Sequence, residues 1–502
     1  MSLFRKKSLD VLLAQAADSN KGLKRTLSSG NLIALGIGAI IGAGLFVRTA
    51  AAAGEHAGPA VTISFIIAAI GCAFAGLCYA EFASMIPIAG SAYTYAYATM
   101  GELIAWIIGW ALVLEYALGA ATVSSAWSEY LNELLGGAIP YAWSHSPFEH
   151  LVRRVVDSHE IVMSSTKVLS SDIIVASGVI NLPALFIILV LTLLLIKGTQ
   201  ESAVVNSIIV VVKVAIVLVF IAIGWKFINP ANHTPYFIPA DKPGYEGFWN
   251  HGWAGVLTGA GIVFFAFIGF DAVSTTAQEA KNPKRDMPIG ILGSLVICTI
   301  LYILFSYVLT GVAPYTDFVK AGKEASVAYA IKTYMTGYSW LATLISIAIL
   351  AGFSSVMLVM LMGQSRVFYS MSNDGLLPKV FSDLHPKFRT PYKSNMILFV
   401  FVGLFGAFVP ESVVGNLTSI GTLFAFVLVC AGVIIMRKND PDRPRPFKTP
   451  LVPLVPILGI IVCSAMIVGL PGSTLLIALL WMIIGLVIYF TFSKKRSNLN
   501  KP

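Results

Sequence analysis

Apolar residues run along this chain in long blocks broken by short polar connections. A helix that crosses a bilayer needs about 20 mainly apolar residues. Blocks of that kind lie at roughly 31–53, 60–84, 101–128, 181–197, 204–228, 254–278, 290–313, 338–370, 394–409, 415–436, 452–470 and 474–492. The pattern predicts an all-α integral membrane protein of about twelve helices. An even number of spans puts both termini on one side. The longest connection, roughly 130–180, carries mixed charges and an interrupted apolar pattern (His150, Leu151, Val155, Val156) and reads as a short surface helix. The run Pro441, Pro444, Pro446, Pro450, Pro453 and Pro456 reads as a stiff turn entering the eleventh span.

Composition agrees with this picture. The chain has 502 residues, 57% hydrophobic and only 12% charged, where a soluble domain carries about 25% charged residues. So few charges cannot make a water-soluble surface at this length. Met1 to Asn31 is polar and basic and lacks the early apolar core of a cleavable signal. Cys72, Cys78, Cys298, Cys430 and Cys463 all lie inside apolar runs, with no metal-type spacing, and read as small buried hydrophobes. The net charge of +9 would suit a nucleic-acid partner if it formed a patch. Instead, with the N-terminus taken as cytoplasmic, 24 of the Lys and Arg residues fall on inside segments and nine outside, with Lys213 within a span. That asymmetry follows the positive-inside rule and predicts cytoplasmic termini. Glu81 and Glu102, near span ends, read as interfacial.

Two spans are interrupted by glycine. Span one holds Gly36, Gly38, Gly42 and Gly44 in LGIGAIIGAGLF; span six holds Gly255, Gly259, Gly261 and Gly269 in a stretch ending FFAFIGFD. Either alone is explained by close helix packing. The pair lies five spans apart, as two repeats of opposite topology would require, and matched interrupted segments point to a transporter site. Unwinding a helix at mid-membrane frees N–H and C=O groups that hydrocarbon cannot satisfy. A zwitterion satisfies both kinds: its carboxylate takes N–H groups at a half-helix start, its ammonium takes carbonyls. The donors would lie near Ala43 and Gly44, the acceptors near Ile40, Phe265, Ala266 and Ile268.

Three charges sit where lipid would exclude them. Lys213 lies about nine residues from the nearer end of span five, roughly 13 Å from the interface and beyond snorkelling reach. A lysine there costs about 2.5–3.5 kcal/mol on insertion scales. It reads either as a structural ammonium on the carbonyls of span one or as a titrating group that loads and loses a proton during transport. Glu115 in LVLEYAL sits at mid-span three and reads equally as site-facing or structural. Asp271 closes the span-six break and reads as a binder of freed N–H groups or a half-helix terminator. No H-E-x-x-H, Walker A, GxSxG or paired catalytic carboxylate motif occurs, and the seven histidines form no ligand-spaced cluster. Neither an enzyme nor a metal centre is predicted.

GIGAIIGAGLFV in span one, FFAFIGFDAVSTTAQEAKNPKRDMPIGI in and after span six, and SRVFYSMSNDGLLP after span eight resemble the amino acid–polyamine–organocation superfamily, within it the bacterial cationic amino acid transporter family. The resemblance covers roughly 25–490. It implies a five-plus-five inverted-repeat fold with broken helices one and six: an N-terminal segment 1–30, repeats 31–228 and 254–436, accessory helices 452–492 and a tail 493–502. It also implies uptake across the cell membrane coupled to H+ rather than sodium, with no cofactor. By position, Ile40, Ala43 and Gly44 would hold the substrate backbone, and Phe265, Ala266 and Ile268 would supply carbonyls, with the Phe265 ring as a gate. Gly42, Gly269 and Asp271 belong to the breaks. Lys213 matches the lysine that replaces a sodium ion, Glu115 and Asp271 match acidic positions, and Met360 matches a position bordering the substrate side chain. Ala43 stands where relatives often carry Ser or Thr, which leaves the carboxylate to backbone N–H groups. Bulky Met360 favours small neutral amino acids such as alanine. Cationic substrates, exchange, and an amino-acid-sensing receptor are the alternatives.

Overall fold

The computed structural model describes residues 5–10, 23–42, 44–156, 159–165, 173–243, 245, 247–320, 326–468 and 472–500. Its first helix, α1 (Ser29–Ile40), starts at a capping box: Ser28 Oγ accepts from the Asn31 N–H at 3.4 Å, and Asn31 Oδ1 from the Ser28 N–H at 3.1 Å. The chain resumes helical turns at Gly44 and runs on into α2 (Val61–Met85). There follow α3 (Ala92–Thr99), α4 (Glu102–Leu134), α5 (Leu182–Lys197), α6 (Thr199–Gly224) and α7 (Gly252–Phe264). After a tight helix Phe270–Glu279 come α8 (Pro283–Val312), α9 (Ser339–Asn373), α10 (Tyr392–Phe408), α11 (Glu411–Asn439), α12 (Leu454–Val468) and α13 (Gly472–Ile488).

Among the described residues, eight helical runs are long and apolar enough to cross a membrane, and Ser29–Ile40, Leu182–Lys197, Tyr392–Phe408 and Leu454–Val468 are shorter apolar helices. Every predicted block falls on one of these twelve. The division differs at the start: the sharp interruption lies inside span one, whereas spans one and two are separated only by a bend at Gly58, φ 59°. The outer helices turn apolar side chains outward, as Leu476, Leu479, Leu480, Ile483, Ile484 and Val487 do on α13. Water would not tolerate such a face, and lipid does.

Two groups of helices are packed together. In one, α8 lies against α1 and α2, and α7 and the Phe270–Glu279 helix lie against α2. In the other, α9 lies against α4 and α5, and α10 against α5. Helix α6 touches both, through α1 and α9, and α9 also packs directly on α1 and on the Phe270–Glu279 helix.

The connection at 130–180 is not a surface helix. It forms a three-stranded antiparallel sheet of order β2-β1-β3, from β1 (His150–Val156), β2 (His159–Ser165) and β3 (Ile173–Ser177), with a register shift between Leu151 and Val152. Val152, Val155, Val156, Ile161, Val162, Ile173, Ile174 and Val175 are β-branched, which favours a pleated strand over a helix.

Glu81 and Glu102 are likewise buried rather than interfacial. Glu81 accepts from Arg437 Nη2 at 2.8 Å and the Thr449 N–H at 2.7 Å, and so pins the proline-rich turn to α2. Glu102 accepts the hydroxyls of Tyr97 and Tyr489, each at 2.9 Å, and of Ser497 at 2.5 Å. Lys7 pairs with Asp374 just past α9, where the Asn498 N–H also donates to the Asp374 carbonyl at 3.0 Å. Both chain ends therefore lie on one face.

Candidate functional site

A helix that stops inside the bundle leaves its last carbonyls without N–H partners. Helix α1 stops at Ile40, and Ile41 is extended (φ −78°, ψ 99°). Two of the carbonyls at this end are taken by Lys213, which reaches across from α6 and is fully buried. Its Nζ donates to Gly38 O at 3.1 Å, Ile41 O at 2.8 Å and Ser355 Oγ at 2.7 Å. An ammonium has three N–H groups, and all three are used. Ser355, on α9, donates in turn to Gly38 O at 2.8 Å or Gly352 O at 2.9 Å. Ala43 lies outside the described residues, so the structure gives no account of it.

The span-six break is made by glycine. Helix α7 ends at Phe264, Ile268 is extended, and Gly269 has φ 110°, a left-handed conformation that a side chain would resist. A Cβ there would also fall 2.9 Å from Ala39 Cβ. The chain resumes as a ten-residue 3₁₀ helix from Phe270, a form that rarely runs beyond one turn and often marks a hinge. Asp271, in its first turn, accepts the Tyr116 hydroxyl at 2.5 Å. Its carboxyl sits at the start of a half-helix, the end where N–H groups lack intrahelical partners.

The two breaks touch. A Cβ on Gly44 would lie 2.2 Å from Ala266 Cα, so only glycine lets the strands of chain approach this closely. A Cβ on Gly42 would likewise lie 2.7 Å from Val356 Cγ2. From α8, the Tyr302 hydroxyl lies 2.9 Å from Ile40 O and 2.8 Å from Ala266 O. One donor position thus serves a carbonyl from each break. Ile268 is bound locally, its N–H donating to Phe265 O at 3.3 Å. The Phe265 ring is half-buried, and the Arg48 guanidinium stands 5.2 Å from its centroid. Arg48 is the last residue of the helical turn Gly44–Arg48.

Glu115 lies in a widened π-helical turn, Val113–Leu118, within α4. Such turns are uncommon and often occur at functional sites. Glu115 is fully buried and neither oxygen meets a hydrogen-bond donor at good geometry; Asp271 and Thr422 are the polar groups that face it. It is therefore gathered with Asp271 and Tyr116. Met360, on α9, packs on α4: its Sδ lies 3.0 Å from where a Cβ on Gly119 would be, beside Thr418 of α11. The sequence did not single out Tyr302, Ser355, Tyr116 or Thr422. A hydroxyl within an apolar block was their only signal, and many other residues share it.

A family model described as amino acid permease matches residues 27–493. The chain is 44% identical, over its whole length and 99% of the relative's, to the branched-chain amino acid permease BcaP of Bacillus subtilis. It is 40% identical, over all of both chains, to a methylthioribose transporter of the same organism. The vacuolar cationic amino acid transporter 4 of Arabidopsis thaliana is 34% identical over 88% of this chain and 68% of its own.

Proposed function

The chain belongs to the amino acid permease family of the amino acid–polyamine–organocation superfamily, and on that premise we propose that it imports neutral aliphatic amino acids together with protons. The range runs from alanine to the branched-chain amino acids. The proposed architecture has repeats 31–228 and 254–436 inverted about the site, accessory helices 452–492, and both termini in the cytoplasm. What carries the site assignment is the Tyr302 hydroxyl, within hydrogen-bond distance of Ile40 O and Ala266 O. Two carbonyls that converge on one point suit a substrate ammonium, which has three donors to offer. Its carboxylate would then face the N–H groups that begin the second half of span one, at Ala43 and Gly44.

Met360, packed on Gly119, and Val356, beside Gly42, would on this reading border the substrate side chain and favour an apolar one, in keeping with relatives named branched-chain amino acid permeases. Proton coupling is supported by Lys213, which holds the end of α1 with every N–H engaged. Losing one proton would remove one of those bonds and loosen the break. A cationic substrate is the second reading, and Glu115, a buried carboxyl with no hydrogen-bond donor, is the observation that favours it.

Uptake of labelled amino acid into proteoliposomes under an inward proton gradient tests the proposal, with competition by each of the twenty amino acids. Alanine, valine, leucine or isoleucine should compete, and replacing sodium with choline should leave accumulation intact. Loss of accumulation in choline would refute proton coupling. Met360→Ser should improve arginine binding relative to alanine by roughly tenfold, the effect of a few atoms in an apolar pocket. An unchanged ratio would remove Met360 from the side-chain wall.

A further inference from the structure

Two segments singled out by the sequence lie beyond the site: QEAKNPKR after the span-six break, and SRVFYSMSNDGLLP in and after α9. They meet in the interior. Arg366 donates from Nη2 to Glu279 Oε1 at 3.0 Å and from Nε to Glu279 Oε2 at 3.3 Å, two near-parallel bonds to one carboxylate. The side chains are 0% and 1% exposed. Removing both charges from water is costly, and apolar groups of similar volume often serve stability as well or better. A pair this deeply buried calls for a role other than holding the fold.

Its place in the packing supplies one. Glu279 ends the 3₁₀ helix that packs on α1, α2 and α8; Arg366 lies on α9, which packs on α4, α5 and α6 and meets that 3₁₀ helix and α1 along the seam between the two groups. The chain entering α1 is tied to the same point, because the N–H groups of Thr26 and Leu27 donate to the Glu279 carbonyl at 2.9 and 3.0 Å, and the Lys281 N–H to Leu27 O at 2.8 Å. Glu279 and the entrance to α1 therefore form one piece. Nine residues at about 2 Å each put Glu279 roughly 18 Å along its helix from the Gly269 break. Arg366 lies about 12 Å inward of Asp374 along α9. Asp374 is where both chain ends meet α9.

We propose that Glu279 and Arg366 form a gate between the helix breaks and the face that carries both chain ends, and that the pair separates whenever the site opens to that face. This rests on the transport reading. Arginine does not release its proton in proteins, so the gate opens by moving the two helix groups apart rather than by titration.

Ala277, 0% exposed and two residues before Glu279, offers a reporter. In a chain whose native cysteines are replaced, Ala277→Cys is labelled with N-ethylmaleimide, which reaches both sides of a proteoliposome. Labelling should be slow without amino acid and rise when a transported amino acid is present on both sides. In a Glu279→Gln/Arg366→Gln background, which leaves no lone buried charge, it should be at least about tenfold faster without amino acid. Labelling that stays slow during turnover overturns the gate, even if the double variant fails to fold. The two readings fail separately: absence of any amino acid uptake by the wild type sinks the transport reading, whereas normal uptake with flat labelling sinks only the gate.

Discussion

Lys213 and Arg366 are both buried cations that reach between the two helix groups, and they are held in different ways. The lysine gives its three N–H groups to two backbone carbonyls and a serine hydroxyl, none of them charged. The arginine gives two parallel bonds to a carboxylate. If Lys213 loses a proton, a neutral cluster remains, with one hydrogen bond fewer and no stranded counter-charge. If Arg366 leaves Glu279, the two charges part without neutralising each other, which is costly until water reaches them. On the proposed reading the first node is switched by a proton, and the second only by movement.

The largest expected effect breaks the first half of this comparison. Lys213→Ala removes the group proposed to titrate, and accumulation driven by an inward proton gradient should fall to that of protein-free liposomes. Normal gradient-driven accumulation by the variant would refute the proton role. Lys213→Arg sharpens the comparison, because it gives the first node the fixed charge of the second. Exchange of labelled for unlabelled amino acid should persist in this variant while gradient-driven accumulation is lost. Accumulation at the wild-type level would mean that the cation need never be neutral.

A smaller effect is expected where the two breaks meet. Ile40 O and Ala266 O accept from one neutral donor, the Tyr302 hydroxyl. Tyr302→Phe leaves them short of a donor at a cost of about 1–3 kcal/mol, visible as a lower Tm. A bound ammonium would supply the missing bonds, so added amino acid should stabilise the variant more than the wild type. Equal stabilisation of both proteins would mean that these carbonyls are not the ammonium site.

The sequence carried the helical blocks, the two breaks and the misplaced lysine, because each is a strong local violation or a long regular signal. Glycines at Gly44 and Gly269 were visible as interruptions, and their contacts with Ala266 and Ala39 give those interruptions a steric reason. The connection at 150–177 was misread because mixed charges hid a run of β-branched residues. Glu81 and Glu102 were misread because a glutamate near a span end looks wet, while its partners, Arg437, Tyr489 and Ser497, lie hundreds of residues away in sequence. Arg366 and Glu279 lay in view within recognised segments. Only the fold brings them together across 87 residues.

Ser355 decides how finely the lysine node is tuned, and here the expected effect is smallest. Its hydroxyl accepts one of the three N–H bonds of Lys213, and Ser355→Ala deletes that acceptor. A hydrogen bond to a charged group contributes about 1.5–3 kcal/mol, and its loss disfavours the ammonium form. Part is recovered, because Gly38 O also loses the Ser355 hydroxyl as a donor and becomes a better acceptor for the lysine. The pH of half-maximal uptake should therefore move toward acid by about one unit or less, since each unit corresponds to about 1.4 kcal/mol. Ser355→Thr retains the hydroxyl and should leave the curve where it was. Initial uptake rates against external pH in proteoliposomes separate the cases. An acid shift in the alanine variant alone ties the pH response to the Lys213 cluster. Superimposed curves for all three proteins would mean that the proton is taken up elsewhere, with the facing carboxyls of Glu115 and Asp271 the next place to look.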